Sequence, residues 1–301
     1  LLQKTLKQGG LGGLADSLQA ENSPFLNRAL QSYAVGSVFK PVLAAAALEA
    51  GLQPVFECTG AVVVDGQIFR CAGGVPHGQV DLAAALEKSC NGYFIRLGQQ
   101  LGAESLLDAA KAFGFGQSLP LAEGLAAEAG QLPAPQELAQ SGQLANFSFG
   151  QGSLLAAPMQ VAALFNTIAA DGVYRSPYVL QATLDETTGQ PVETLSHPRG
   201  RRVISAQNAA LLRAMLVQVV QQGTAQDAAG LSGGAGGKTG TAQTGQFTPE
   251  GTERCNLWFA GFWPAEKPRY TIVVLQDGAV HTAYSGATIF AQVCNALEAA
   301  G

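Results

Sequence analysis

The amino-acid sequence predicts an α+β fold in which helices cover an antiparallel sheet. Two β-rich runs, residues 257–263 and 269–275, follow each other near the C-terminus with no helical pattern between them. A helical pattern at 285–299 closes the chain, and helical patterns dominate the region from residue 81 to 222. Strands grouped in one stretch, with helices grouped elsewhere, favour an antiparallel sheet over the parallel sheet of an alternating chain. No unit of about 20 to 50 residues repeats, which excludes solenoids and propellers.

The composition indicates a folded globular chain. Its 301 residues suffice for one large domain or two moderate ones, and 47% of them are hydrophobic. The 17 lysines and arginines are scattered and the formal net charge is -5, so we exclude nucleic acid as a partner. No apolar run reaches the roughly 18 residues of a membrane-spanning helix. Lys4 and Lys7 interrupt any apolar signal segment at the start.

The beginning of the chain carries glycines and one helical pattern. We interpret residues 1–13 as a glycine-rich linker or an engineered joint, and residues 14–301 as one domain. A helical pattern covers residues 14–30. The run at 37–51 is rich in alanine and leucine, which predicts a largely buried helix with Ser37 at its N-terminus.

A short β-hairpin is predicted within residues 58–71, because Asp65-Gly66 is a strong two-residue turn signal between two β-rich runs. Five helical patterns follow it, separated by glycines or loops. They cover residues 81–88, 93–101, 105–113, 158–170 and 205–222, and residues 114–157 are a loop-rich region. Residues 89–91 therefore fall between two helices.

Three short motifs, each present once, contain the residue types of nucleophilic catalysis. They are Ser37-Val38-Phe39-Lys40, Ser89-Cys90-Asn91 and Lys238-Thr239-Gly240. On a helix, a spacing of three places Ser37 and Lys40 on one face, where the lysine amine can reach the serine hydroxyl. A lysine accepts the serine proton only if burial or a nearby cation lowers its pKa, and we expect Lys238 to be that cation.

Longer stretches around these motifs resemble the class B, high-molecular-mass penicillin-binding proteins. The matching residues are Y-A-V-G-S-V-F-K-P at 33–41, the segment 77–98, F-G-Q-G at 149–152, P-M-Q at 158–160 and G-K-T-G-T-A-Q at 237–243. The resemblance runs from about residue 22 to the end, and the ordered set of motifs is specific. It implies the α+β fold shared with serine β-lactamases, with a mostly helical second lobe beside the sheet.

The resemblance implies a D,D-transpeptidase that joins peptidoglycan stem peptides ending in D-Ala-D-Ala. It assigns Ser37 as the acylated nucleophile, Lys40 as its proton acceptor and Ser89 as the relay of a proton to the leaving group. The backbone N–H groups of Ser37 and Thr241 are expected to form the oxyanion hole. β-Lactam antibiotics are expected to acylate the same serine, and no cofactor or metal is expected.

The same resemblance assigns the substrate-binding residues. Asn91 is expected to bond an amide of the substrate, while Lys238 and Thr239 bind its terminal carboxylate. Gly240 is expected to leave room for the substrate beside the strand.

The chain departs from the family at its N-terminal end. Family members have a hairpin of the main sheet before the serine, whereas residues 1–36 show only glycines and a helical pattern, so we expect the first hairpin to be missing. The noncatalytic N-terminal region and the membrane anchor of the family are also expected to be absent from this chain. The family works on the extracytoplasmic face of the bacterial cytoplasmic membrane, with other cell-wall synthesis proteins as partners.

Cys58 and Cys71 flank the predicted hairpin, which brings chain ends close and favours a disulfide between them. Two alternatives stay open: the two cysteines could hold zinc together with Asp65 and His77, as some class B relatives suggest, or remain unpaired. The other cysteines are interpreted as small buried hydrophobic residues: Cys90, Cys255 and Cys294.

Two other functions use a similar serine and lysine. A serine β-lactamase needs a base for a deacylating water, and three glutamates lie in the loop-rich middle, where a solvated loop explains them better. These are Glu123, Glu128 and Glu137. A noncatalytic β-lactam sensor is the alternative binding module, and turnover of a peptide donor distinguishes it from a transpeptidase.

Overall fold

The computed structural model describes residues 25–194, 199–280 and 282–300, and it has the predicted α+β fold. The α-helices of the described residues are α1 (Lys40–Glu49), α2 (Leu82–Glu87), α3 (Asn91–Leu101), α4 (Ala103–Ala112), α5 (Pro135–Leu138), α6 (Ser141–Ser148), α7 (Pro158–Ala169), α8 (Ala206–Gln221) and α9 (Gly286–Ala299). The strands before α3 are β1 (Tyr33–Ala34), β2 (Phe56–Cys58), β3 (Ala61–Val64), β4 (Gln67–Arg70) and β5 (Gly78–Val80). The later strands are β6 (Leu119–Ala122), β7 (Leu125–Ala127), β8 (Leu155–Ala156), β9 (Val173–Tyr174), β10 (Ala182–Leu184), β11 (Pro191–Thr194), β12 (Arg201–Arg202), β13 (Gly236–Phe247), β14 (Glu253–Trp263) and β15 (Tyr270–Ala279).

The main sheet is antiparallel and has the strand order β13-β14-β15. Neighbouring residues of a strand point to opposite faces, and Trp258 and Phe259 show this at the centre of β14. The ring of Phe259 lies 4.7 Å from that of Phe290 in α9, whereas the Trp258 indole N–H donates to the Ala34 carbonyl at 2.9 Å. The terminal helix therefore covers one face of the sheet, and the segment that leads into Ser37 packs on the other.

Most predicted elements are confirmed, including the β3–β4 hairpin with Asp65 and Gly66 at its turn. Residues 25–30 form turns instead of the end of a helix, and the rest of the predicted 14–30 helix lies outside the described residues. Residues 1–13 lie outside them as well. We expected residues 1–36 to lack the first hairpin of the sheet, and most of that segment also lies outside the described residues. Within the described chain, no fourth strand joins the main sheet.

Helix α6 was not predicted from the sequence, which indicated a loop-rich region at 114–157. The helix buries only Ala145, Phe147 and Ser148, and the rest of S-G-Q-L-A-N-F-S is half-buried. So few buried positions leave no readable helical period in the sequence.

Helix α1 is buried on almost every side, from Lys40 to Leu48, which fits its run of alanine and leucine. A helix that is apolar all round belongs in a core, and α1 packs between α3, α4 and α8. Among the helices of the described chain, none is both long and apolar enough to cross a membrane.

Two glycines hold the turn before α1 against its neighbours. The Gly36 N–H donates to the Gly150 carbonyl at 2.8 Å, and both residues have positive φ angles, +65° and +88°. A Cβ on Gly150 would lie 1.9 Å from the Gly36 oxygen, and a Cβ on Gly36 would lie 2.6 Å from the Thr241 oxygen. Only glycine allows these backbones to approach so closely.

We expect Gly150→Ala to lower the free energy of unfolding by about 3 kcal/mol or more, because a backbone clash adds to left-handed strain. Gly66→Ala is the matched control: its φ is +79°, but nothing lies within 4 Å of the new Cβ. The control should cost only about 1 to 2 kcal/mol. Urea unfolding of both variants measures the difference, and equal losses would contradict the close-approach argument.

Candidate active site

The three sequence motifs meet at one cleft of about 290 Å³ between the helices and the sheet. Its lining residues are Ser37, Arg70, Cys71, Ala72, Ser89, Asn91, Thr224, Thr239, Gly240 and Thr241. Lys40 and Lys238 have no exposed surface. The cleft therefore joins residues that are about 50 and 200 positions apart in the sequence.

Ser37 lies in a single 3₁₀ turn, Gly36–Phe39, that leads directly into α1. Lys40, the first residue of α1, is one turn further on, as the spacing of three predicts. Its Nζ donates to the Ser89 carbonyl at 2.8 Å, to the Ser89 hydroxyl at 3.2 Å and to the Asn91 side-chain oxygen at 2.7 Å. Within the described chain, Lys40 makes no hydrogen bond to Ser37. Contacts between a nucleophile and its base are often long before substrate binds.

Burial is the main cause of the Lys40 pKa, which falls from 10.5 to about 7, while the nearby thiols of Cys90 and Cys71 act in the opposite direction. The pKa of Lys238 is also held well below its usual range, by burial first and by the charge of Lys40 second. The sequence argument allowed burial or a nearby cation to lower the Lys40 pKa and named Lys238 as that cation. In the structure burial lowers it, and Lys238 is not among the groups that shift the Lys40 pKa.

Ser89 occupies a left-handed backbone conformation, with φ of +53°, between α2 and α3. This conformation is costly for a serine and brings its carbonyl and its hydroxyl to the same amine. Asn91 begins α3, and its side-chain amide donates to the Arg70 carbonyl at 2.9 Å. The amide of Asn91 is therefore fixed from both ends, by Lys40 and by the end of β4.

The Lys238-Thr239-Gly240 motif lies on β13, which pairs only with β14 in the described sheet. The Lys238 Nζ donates to the Thr239 carbonyl at 3.1 Å. A Cβ on Gly240 would lie 3.0 Å from a Val38 methyl carbon and 3.1 Å from the Val38 nitrogen. Gly240 therefore makes room for the serine turn, Gly36–Phe39, a contact that its place in the motif did not predict.

Thr224 is a cleft residue that sequence reasoning missed. It follows the end of α8, and its hydroxyl lies 2.7 Å from that of Thr239. The Thr224 backbone N–H donates to the Glu87 carbonyl, which ties this residue to α2. A lone threonine after a helix carries no motif, so only the folded chain places it beside Thr239.

Cys58 and Cys71 are free thiols, and their sulfurs lie 3.7 Å apart, well beyond a disulfide bond of about 2.05 Å. The predicted disulfide is therefore not present in the structure. His77 Nδ1 lies 3.5 Å from the Cys58 sulfur, and the Cys90 sulfur lies 3.9 Å from that of Cys71. Cys90, which we interpreted as a small hydrophobic residue, joins this group of side chains.

The chain matches the penicillin binding protein transpeptidase domain over residues 6–297 and belongs to that family. Peptidoglycan D,D-transpeptidase PbpA of Mycolicibacterium smegmatis is 33% identical over 92% of this chain and 57% of that protein. Stage V sporulation protein D of Bacillus subtilis is 32% identical over 87% of this chain and 41% of that protein. The chain thus spans about half the length of the curated relatives that it matches.

Solved structures of the family have the same fold. The imipenem acyl-enzyme complex of penicillin-binding protein A from M. tuberculosis has a TM-score of 0.85 at 26% identity, covering 96% of this chain and 65% of that one. Penicillin-binding protein 3 of M. tuberculosis, complexed with aztreonam, has a TM-score of 0.80 at 30% identity over 93% and 65% of the two chains. These neighbours support the predicted α+β fold with its helical second lobe.

We expect Lys40 to titrate with a midpoint near pH 7, so that its amine is mostly neutral above that pH and mostly an ammonium below it. NMR of protein with isotope-labelled lysine side chains measures this midpoint. Lys40→Met identifies the signal by its disappearance. A midpoint close to the usual lysine pKa would contradict desolvation as the cause of the shift.

Proposed function

We propose that this chain is the catalytic domain of a serine-type peptidoglycan D,D-transpeptidase. The observation that carries the proposal is a buried Lys40 amine, one helical turn from Ser37, bonded to Ser89 and Asn91 at the cleft. An amine kept largely neutral near pH 7 can take a proton from a serine hydroxyl, which an ordinary lysine cannot do. Relatives named as peptidoglycan D,D-transpeptidases support the assignment.

Acylation would begin with attack of the Ser37 hydroxyl oxygen on the carbonyl carbon between the two D-alanines of a stem peptide. The Ser37 proton passes to the Lys40 amine, and the carbonyl oxygen becomes an oxyanion held by the backbone N–H groups of Ser37 and Thr241. The carbon–nitrogen bond then breaks. Ser89, which bonds Lys40, passes a proton to the nitrogen of the departing D-alanine, and an ester to Ser37 remains.

Cross-linking would complete the cycle. The amine of a second stem peptide attacks the ester carbon, a peptide bond forms, and Ser37 recovers its proton through the same Lys40–Ser89 pair. The Lys40 amine and the Ser89 hydroxyl already lie 3.2 Å apart, whereas Ser37 would come within hydrogen-bond distance of Lys40 when substrate binds.

The substrate-binding roles follow from charge and position. Lys238 and Thr239 would hold the terminal carboxylate, and the carboxylate in turn stabilises the ammonium of the buried Lys238. Asn91 would donate to the substrate from the opposite wall of the cleft. Thr224, bonded to Thr239, supports the same end of the cleft.

β-Lactam antibiotics would acylate Ser37 by the same attack, since the neighbouring structures include acyl-enzyme complexes with such drugs. Peptidoglycan lies outside the cytoplasmic membrane, so we place the chain on its extracytoplasmic face. A membrane anchor and contacts with other cell-wall synthesis proteins are part of the same proposal.

The cleft favours a transpeptidase over a β-lactamase. Among the described residues that line it, none is an aspartate or a glutamate that could activate a hydrolytic water. The three glutamates of the middle region do not line it: Glu128 accepts from the Ser32 N–H, Glu137 accepts from the Ser153 hydroxyl, and Glu123 lies at the exposed β6–β7 turn. A sensor uses the same acylation but transfers nothing to an acceptor amine.

We expect benzylpenicillin to form one long-lived adduct per chain, on Ser37, because no deacylating carboxylate reaches the cleft. Intact-protein mass spectrometry followed by peptide mapping measures it. Ser37→Ala should abolish the adduct, and Ser153→Ala, outside the cleft, should retain it. Loss of the adduct within seconds would indicate a β-lactamase. An adduct without any product from a peptide donor and an acceptor amine would indicate a sensor.

We expect Lys238→Met to slow acylation by at least about tenfold, because one charge-assisted hydrogen bond is worth about 1.5 to 3 kcal/mol. The stability should change little, since Lys238 is fully buried and methionine fills a similar volume without a buried amine. The matched control is Lys267→Met, at an exposed lysine. Stopped-flow acylation and thermal unfolding separate the two effects. An unchanged acylation rate would remove Lys238 from the site.

A further inference from the structure

We infer that Arg70 forms a subsite for a carboxylate on the residue that precedes D-Ala-D-Ala in the donor peptide. Arg70 ends β4 and lines the cleft together with Ser37 and Asn91. It is exposed, and within the described chain its guanidinium makes no hydrogen bond or ion pair. The inference rests on the proposed function, because that function supplies the direction in which the peptide crosses the cleft.

The charge of the cleft favours an anionic ligand at this position. Arg70 is the only lysine or arginine among the described residues that line the cleft, and none of them is an aspartate or a glutamate. Lys40 and Lys238 lie behind the walls with no exposed surface, and burial lowers the pKa of both. A guanidinium keeps its charge at any pH at which a protein of this kind works. The cleft therefore presents a permanent positive charge that has no acidic partner.

The backbone at Arg70 is fixed, although its side chain is free. The side-chain amide of Asn91 donates to the Arg70 carbonyl at 2.9 Å. Phe69 points into the fold, where its ring lies 6.2 Å from that of Phe149, so Arg70 points to the opposite face of the β3–β4 hairpin. A charged group on a rigid strand end can select a ligand by position as well as by charge.

Most other arginines of the described chain are used within it. Five of them donate to backbone carbonyls: Arg96, Arg201, Arg202, Arg213 and Arg254. Arg70, Arg175 and Arg199 have no such contact, and only Arg70 of these three lines the cleft. Its guanidinium is therefore available to a molecule that enters the cleft.

The roles proposed for the cleft fix the order in which it meets the substrate. Lys238 and Thr239 hold the terminal carboxylate, and Ser37 attacks the bond between the two D-alanines. Asn91 then donates to the amide that precedes this bond. One N–H of its carboxamide goes to the Arg70 carbonyl, which leaves the second N–H for the peptide. The residue before D-Ala-D-Ala therefore lies beside Arg70.

A free carboxylate is the group that suits this subsite. A guanidinium offers two parallel N–H donors that match the two oxygens of a carboxylate, and both groups are charged. The terminal carboxylate cannot serve here, because Lys238 and Thr239 hold it at the other end of the cleft. The donor class is thus a peptide whose residue before D-Ala-D-Ala has an acidic side chain, with the carboxylate free rather than amidated.

The test uses the whole chain and two N-acetylated tripeptides that end in D-Ala-D-Ala. Both begin with L-2-aminopimelate, whose long side chain ends in a free carboxylate in one peptide and in a carboxamide in the other. The concentration of each peptide that halves the rate of Ser37 acylation by benzylpenicillin measures occupancy of the cleft without turnover. We expect the acid to protect at a concentration at least about fivefold lower than the amide, because charge strengthens the hydrogen bond.

Arg70→Met should remove this difference, because methionine has no charge and no donor. Arg70→Lys should keep part of it, since the charge remains and the paired donors are lost. Arg199→Met, at an exposed arginine outside the cleft, is the matched control and should keep all of it. Equal protection by the two peptides in the unaltered chain would overturn the subsite. A difference that survives in Arg70→Met would overturn the role of Arg70.

The second measurement is release of D-alanine in the presence of an acceptor amine. We expect faster release from the acid than from the amide at low peptide concentration. Release at equal rates would overturn the subsite and leave the proposed function standing. Protection that favours the acid, without release of D-alanine from either peptide, would overturn the proposed function and leave the subsite standing. Neither protection nor release would overturn both.

Discussion

The desolvation of one amine governs the arrangement of this protein. Lys40 begins a helix that is buried on almost every side, so its nitrogen has lost water and needs partners from the chain. Those partners are the carbonyl and hydroxyl of Ser89 and the side chain of Asn91. The left-handed backbone at Ser89 is a consequence, because no regular helix would present both oxygens to one donor. These hydrogen bonds hold the start of α3 to the start of α1, directly after the turn that carries Ser37.

The sheet meets this arrangement through backbone rather than side chains. Gly36, Gly150 and Gly240 remove the side chains that would separate the serine turn from β13 and from the loop after α6. A side chain makes the contact further along the sheet, where the Trp258 indole N–H donates a hydrogen bond to the Ala34 carbonyl. The cleft is narrow because its walls are joined by main chain on one side and by a buried lysine on the other.

The local signals in the sequence were sufficient for most of the fold. Alanine-rich runs, the Asp65-Gly66 turn and N-caps such as Asp81 and Ser205 each act through neighbouring residues, which a sequence displays directly. The site was partly predictable for the same reason, since a spacing of three fixes Ser37 relative to Lys40. What escaped prediction depends on residues far apart in the chain. Burial is the main cause of the low Lys40 pKa. The Thr224 hydroxyl contacts that of Thr239, and the Cys90 sulfur contacts that of Cys71. None of these features can be recognised from the residues adjacent in the sequence.

The contact between Gly240 and Val38 limits how the sequence at this point of the cleft can vary. A side chain on Gly240 would place its Cβ 3.0 Å from a Val38 methyl carbon and 3.1 Å from the Val38 nitrogen, so the turn that carries Ser37 would have to move away from β13. Ala72 has no such neighbour to displace, because it lines the cleft and is exposed to solvent. Substitutions that leave Ser37 in its position are therefore accommodated more readily at the rim of the cleft than at Gly240.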